Sequence, residues 1–416
     1  MNDDCLKLTV YFGERKRVGS RFVADALLDL YERHQIATSV LLRGVEGFGL
    51  RHHLRTDSSL SLSEDLPALA IAVDTRTRIE AVRDEAVALT RSGLVTLERA
   101  RMQTGEITAV PMPAELDEAI KLTVYLRRQE RVYRVPAFVA VCDLLHRRGI
   151  AGATTLLGVD GTTHGVRERA RFFGRNADVP MMVIAVGSGQ RIARVLPELG
   201  GLLHRRGIAG ATTLLGVDGT AHGARERARF FGRNVDVPMM VIAVGSGQQI
   251  ARVLPELGGL LHRPMITLER VRVCKRDGQL LETPHRLPGT DERGMALWQK
   301  LMIYNSEAAL HDGQPIHRAI TRQLRRSGAG GSTTLRGIWG FHDDRPPHGD
   351  RVLQLGRHVP TVTIVIDTPE RIAESFAVVD ELTRERGLVT SEMVPAVRAI
   401  AAEHKRGGIR LAHYRF

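Results

Sequence analysis

The sequence predicts an α+β fold assembled from three tandem copies of one βαββαβ unit, the middle copy carrying an inserted, duplicated ββα segment. Two recurrences and one local duplication carry that prediction. LKLTVYFGE at Leu6 to Glu14 returns as IKLTVYLRR at Ile120 to Arg128 and, more weakly, as QKLMIYNSE at Gln299 to Glu307. With Lys7 set on Lys121 and Lys300 and no gap allowed, Gly44 falls on Gly158 and Gly337, so LLRGVEG, TLLGVDG and TLRGIWG lie in register. Residues 147–204 then recur as 205–262 with four differences, Thr163/Ala221, Val166/Ala224, Ala177/Val235 and Arg191/Gln249.

Each element follows from local pattern. Leu6, Leu8, Val10 and Phe12 alternate with Lys7, Thr9 and Tyr11, the period of two of a strand with one buried face. A helix is predicted from about Phe22 to His34, with Val23, Ala26, Leu27 and Leu30 on one side. A β-rich segment runs to Gly44, a polar loop follows to about Glu64, and the next strand opens at Pro67, where a missing N–H is tolerated. Asp74-Thr75 and Asp367-Thr368 read as caps of a second helix, supported in the last copy by Pro369 and by the stripe Ile372, Phe376, Val379, Leu382. The copies close on GLVTLER, PMITLER and GLVTSEM, each a final strand. Strand, helix, two strands, helix, strand is the ferredoxin-like split βαβ pattern. The units occupy residues 1–105, 118–273 and 296–396, and a basic tail fills 397–416.

The duplication repeats a strand, a loop, a strand and a helix but leaves out the first strand. The phrase LLHR ends a helix at Leu144, again at Leu202 and again at Leu260, so a slip between similar helix ends accounts for it. The middle unit is expected to hold six strands and three helices, with Pro197 and Pro255 kinking or restarting theirs. Two readings stand: a duplication not shaped for any task, or a doubled ligand loop. A sheet covered by helices on one face must find a partner for the other if that face is apolar. Here it carries Lys7, Thr9, Tyr11, then Lys121, Thr123, Tyr125, then Lys300, Met302, Tyr304. Packing these faces around a threefold axis gives an intramolecular pseudo-trimer, which is expected in preference to a string of beads.

Composition narrows the function classes. The net charge of +12, from 59 basic and 47 acidic residues, invites a nucleic-acid reading. It is discounted because only six residues are Lys and the Arg, Ala and Gly bias is that of a GC-rich coding sequence, so no dedicated nucleic-acid surface is expected. Cys5, Cys142 and Cys274 have neither disulfide nor zinc spacing. The start MNDDCLKLTV is acidic where a secretory signal is basic, and no run approaches the ~20 apolar residues of a membrane helix, so a cytoplasmic location is expected.

The succession KLTVYFGE, helix, LLRGVEGFG, polar loop, SLSEDLPALAIAVD, helix, GLVTLER resembles the PII-like proteins filed as domain of unknown function 190. The second unit lacks the SEDLP phrase, and the third has Trp339 where the first has Glu46. The resemblance implies a ferredoxin-like fold, trimeric relatives and kinship with PII signalling proteins. Those bind adenine nucleotides in clefts between subunits and regulate partners such as transporters or channels. A regulatory protein that binds a small anion, a nucleotide, between its units is therefore the leading expectation.

Candidate ligand residues come from the recurrences. Lys7, Lys121 and Lys300 occupy one position in a chain that otherwise writes Arg; a compact ammonium suits phosphate, or else the stem merely covers the sheet. The glycine turns, Arg43, Gly44, Gly47, then Gly158, Gly161, then Arg336, Gly337, Gly340, form either an anion nest or a plain tight turn. Arg51 and Arg55, and Arg167, Arg169 and Arg171 with their doubles Arg225, Arg227 and Arg229, make basic loops that clamp phosphate or an acidic partner, or are simply solvated. His52-His53 has no third ligand, and no HExxH, Cys/His set, P-loop, GxGxxG or nucleophile elbow occurs, so no metal, cofactor or enzymatic activity is expected. RNA binding on the sheets, and a ligand-free interaction scaffold, are the alternatives. The first lacks an RNP1 string and has only 5% aromatic residues to stack bases.

Overall fold

In chain order the first elements are β1 (Asn2–Gly13), α1 (Val23–Arg33), β2 (Thr38–Arg43), β3 (Glu46–Phe48), β4 (Pro67–Thr75), α2 (Arg76–Leu89) and β5 (Ser92–Thr104). The computed structural model describes residues 2–49, 55–56, 65–104, 119–125, 265–276, 278–342, 348–349, 359–401 and 404–414, and only short stretches between 131 and 246. β1 lies between β4 and β5, and β4 pairs with β2, all antiparallel. The order β2-β4-β1-β5 is that of a ferredoxin-like sheet. Phe22 and His34 cap α1 rather than belonging to it, and Val23, Leu27, Leu30 and Tyr31 form its buried stripe.

Between this sheet and the last, the described strands include β6 (Ala119–Tyr125), β7 (Gly152–Leu157), β8 (Asp160–Thr163), β9 (Met181–Val186), β10 (Met240–Ser246), β11 (Met265–Arg270) and β12 (Arg272–Arg276). The last sheet comprises β13 (Trp298–Ser306), β14 (Ser332–His342), β15 (Pro360–Asp367) and β16 (Leu388–Val394), in the order β14-β15-β13-β16. Its helices are α3 (Ile316–Arg326) and α4 (Pro369–Leu382), and β17 (Ala396–Ala401) and β18 (His404–Gly408) follow as a hairpin. The basic tail is thus partly a β-hairpin.

The expected helix caps act differently. The first turns of α2 and α4 receive no side-chain hydrogen bond from their N-cap residues, Thr75 and Thr368. Asp74 instead accepts the N–H groups of Thr75 and Ala37, and Asp367 those of Thr368 and Gly330. Each carboxylate therefore ties the start of one helix to the turn that leaves the preceding one, 37 residues away in sequence.

The duplicated strands β9 and β10 run parallel, Met182 opposite Met240, and both face β6, so that Ile184 and Ile242 are both registered on Thr123. In the first sheet Ile71 stands opposite Thr9 in the same way. The two copies compete for one seat. Of the three helices expected of the middle unit, the first is described at 138–140 and 142–143, where the chain is helical; the other two, with Pro197 and Pro255, lie outside the described residues.

Strand pairs also join one sheet to the next. β3 adds to β14 with Glu46 opposite Thr334, β14 continues onto β7 with Trp339 opposite Thr155, and β8 adds to β2 with Asp160 opposite Leu41. A second series places Arg101 opposite Leu268, Arg272 opposite Ser391 and Ala396 opposite Leu97. Both series run from the first sheet through the last and the strands between them and return to the first. Helices and sheet enclose one core around Leu8, Leu27 and Ile79, and a second around Leu301, Ile320 and Phe376. The opposite sheet faces share a third core, in which Val40, Ile71, Val271, Met302, Tyr304 and Ile364 meet.

Candidate functional site

Directly across from Lys7, Lys121 and Lys300 on the neighbouring strands stand Glu98, Glu269 and Glu392. Each ammonium also reaches the glutamate of another sheet. Lys7 holds Glu98 at 3.1 Å and Glu269; Lys121 holds Glu269 at 2.9 Å and Glu392 at 2.6 Å; Lys300 holds Glu392 at 2.9 Å and Glu98 at 2.5 Å. The six side chains form a closed ring of alternating charge, at most 10% exposed. It encloses a cavity of about 50 Å³ lined by Thr9, Thr123 and Met302.

The ring's charges neutralise one another. Burial pushes the Glu98 and Glu269 carboxyls up, but the ammonium groups outweigh it and hold both well below the usual carboxylate range. Burial pulls Lys7 and Lys300 down, yet the carboxylates leave both above the ordinary lysine value. At Lys121, the most enclosed of the three, burial outweighs its partners and pulls the ammonium down. Oxygens of the three glutamates lie within 4.8 Å of one another, close enough for a metal ion. Every carboxylate already bridges two ammonium groups, so neither a cation nor an anion finds an uncommitted charge there.

The glycine turns have a steric cause. A Cβ on Gly44 would stand 2.7 Å from Pro67 Cγ and 3.0 Å from Thr334 O; on Gly337 it would stand 2.8 Å from Pro360 Cγ and 2.6 Å from Thr155 O. On Gly47 it would meet Ser332 O at 2.4 Å. Glycine is needed because a strand of another sheet passes this close. Gly161 and Gly340 lie on strands paired with Val40 and Thr154. Arg43 is forked onto Glu14 and Arg336 onto Glu307, both pairs with a contact of 2.6 to 2.9 Å. Beside them Glu46 approaches His317 of α3 at 4.0 Å, both buried. Arg167 and Arg169 lie on a strand paired with β8, and Arg225 on another short strand. Gly158, Arg51, Arg171, Arg227 and Arg229 lie outside the described residues.

A larger cavity, about 690 Å³, opens between the first and last sheets. The first contributes Tyr11, Gly13, Lys16, Gly47, Phe48, Arg55 and Gly93. The last contributes Trp298, Gly330, Ser332, Asp367, Thr368 and Arg371, and the hairpin adds Ile400 and Arg406. Four cations and one carboxylate line it. Of the expected ligand residues, Gly47 and Arg55 reach this cleft, whereas the three lysines are drawn together elsewhere. Lys16, Arg371 and Arg406 were not singled out in the sequence, being scattered in it without a repeat. The three glutamates did carry a signal, since they hold the same place in GLVTLER, PMITLER and GLVTSEM.

A family model described as "Uncharacterized ACR, COG1993" (DUF190) matches residues 5–102, 119–205, 201–273 and 298–396. Among curated proteins, a UPF0166 protein of Aquifex aeolicus is 26% identical over 97 residues, 23% of this chain and 90% of the relative. A UPF0166 protein of Methanocaldococcus jannaschii is 32% identical over 89 residues, 21% of this chain and 81% of the relative. Among the described residues, no helix is long and apolar enough to cross a membrane.

Proposed function

This chain belongs to the uncharacterised DUF190 family, and we propose that it is a PII-like regulatory protein that binds an anionic small molecule, a nucleotide, between its units. The observation that carries the reading is the 690 Å³ cleft between the first and last sheets, whose lining carries four cations against one carboxylate. That volume is of the size of small-molecule sites, which range over about 300–1,000 Å³. Phe48 and Trp298 supply apolar surface for a planar group, and Lys16, Arg55, Arg371 and Arg406 supply charge for phosphate.

The three tandem units form a pseudo-trimer within one chain in this reading. The closed Lys–Glu ring and the two series of strand pairs that return to the first sheet support it. Ligand and partner are coupled by a population shift, the ligand favouring one arrangement of the basic loops that contact the partner. We read it as a non-enzyme, since the sequence carries no HExxH, P-loop or nucleophile elbow. RNA binding through the sheets is disfavoured because the face bearing Lys7, Thr9, Tyr304 and Lys300 is buried.

Titration of the purified chain with mono-, di- and cyclic nucleotides by calorimetry tests the ligand. Saturable heat with at least one of them is expected; silence across the panel, with folding confirmed by circular dichroism, removes the nucleotide. Scattering tests the arrangement, a compact monomer being expected and an extended three-lobed profile overturning it.

A further inference from the structure

Behind the lining of the cleft, two of its four cations share a counter-ion, Asp65. Asp65 lies 3.3 Å from Arg55 Nη2 and 3.7 Å from Lys16 Nζ through the same oxygen, Oδ2. Its other oxygen accepts the N–H of Arg15 at 2.8 Å. The carboxylate sits over Gly13, where a Cβ would come within 2.3 Å of it, so glycine is required for Asp65 to reach this place. Lys16, Arg55 and Gly13 all line the cleft.

This pair differs in kind from the central ring. The Asp65 side chain is 23% exposed and those of Lys16 and Arg55 are 41% and 31% exposed. Solvated ion pairs of this sort are weak, so an incoming anion can exchange with the carboxylate at small cost. The ring, dry and closed, cannot exchange in that way.

We propose that Asp65 is a specificity-determining residue of the cleft: a ligand's phosphate takes its place on Lys16 and Arg55, and the cleft therefore selects polyphosphates over a single phosphate. The proposal rests on the reading that the cleft binds an anion. A singly charged group only matches the carboxylate it displaces. A polyphosphate replaces that charge and still has charge left for Arg371 and Arg406.

The test compares inorganic phosphate, pyrophosphate and tripolyphosphate, by calorimetry at fixed ionic strength, on the full chain and on Asp65→Asn. The wild type is expected to bind tripolyphosphate at least tenfold more tightly than phosphate. In Asp65→Asn, phosphate is expected to gain about tenfold and tripolyphosphate less, so that the preference narrows. Lys16→Ala, which leaves the buried cores untouched, is expected to weaken tripolyphosphate severalfold. If the wild type binds these anions with the preference unchanged in Asp65→Asn, counter-ion exchange is wrong while the cleft remains an anion site. If neither wild type nor a folded Asp65→Asn binds any of the three, both the exchange and the anion site are overturned.

Discussion

Lys121 Nζ lies 2.6 and 2.7 Å from the two carboxylate oxygens of Glu392, a residue 271 positions away. The contact is one link in a ring of six buried charges, and its energetics are those of the ring. Removing one member leaves an uncompensated charge in a dry interior, which costs about 3–5 kcal/mol for a broken buried pair. Glu392→Gln is therefore expected to destabilise the chain by that amount in urea unfolding. Replacing all three lysines by Met and all three glutamates by Leu is expected to cost less than the single change, because no charge is stranded. A single variant within about 1 kcal/mol of wild type would refute the coupling.

Stability against pH has a defined shape. Glu98 and Glu269 titrate below their ordinary value, Glu269 at about 2. Their contribution is complete above the unfolded carboxylate value of about 4.3 and is lost as pH falls through the folded values. Lys7 and Lys300 titrate above 10.5, so their contribution is complete below that value and is lost as pH rises through the folded ones. Melting temperature is expected to hold level from about pH 5 to 9 and to fall on the acid side. A steep fall between pH 6 and 8 would show that the ring does not govern the profile.

Arg43 is engaged by Glu14 at the surface, its side chain 47% exposed. Arg43→Ala is expected to change stability by no more than about 1 kcal/mol and to leave anion affinity unaltered. Loss of tripolyphosphate binding in this variant would place the anion at the glycine turn instead of in the cleft.

Because both copies of the duplicated strand are registered on Thr123, one is dispensable. Deleting residues 205–262 is expected to leave a monomer with melting temperature equal to or higher than that of the full chain. Aggregation or loss of cooperative unfolding would show that the second copy has become structural.

Periodicity and turn residues made the elements of the first and last sheets legible: Leu6 to Phe12 alternates because one face meets helices, and α1 follows its apolar stripe to within a residue at each end. The site was less legible. Lys7, Lys121 and Lys300 stood out by type, but their meaning depends on partners far away in sequence, and a lysine on a strand reads as exposed until the strand opposite is known. The partners lie in the three closing phrases, where a lone Glu, beside an Arg in two of them and a Met in the third, looks like ordinary surface. Gly44 and Gly337 likewise read as turn glycines, since the carbonyl that forbids a side chain comes from another sheet. The cleft has no sequence signature, because its cations come from a strand end, a loop base, a helix and the hairpin.

β17 lies against β5, Arg99 of β5 donates to the carbonyl of Ala412 at 2.9 Å, and Asn2 stands opposite Met102 of that same strand. With β1 along one side and β17 and β11 along the other, β5 is paired on both sides and is closed to edge-to-edge pairing with a strand of another molecule.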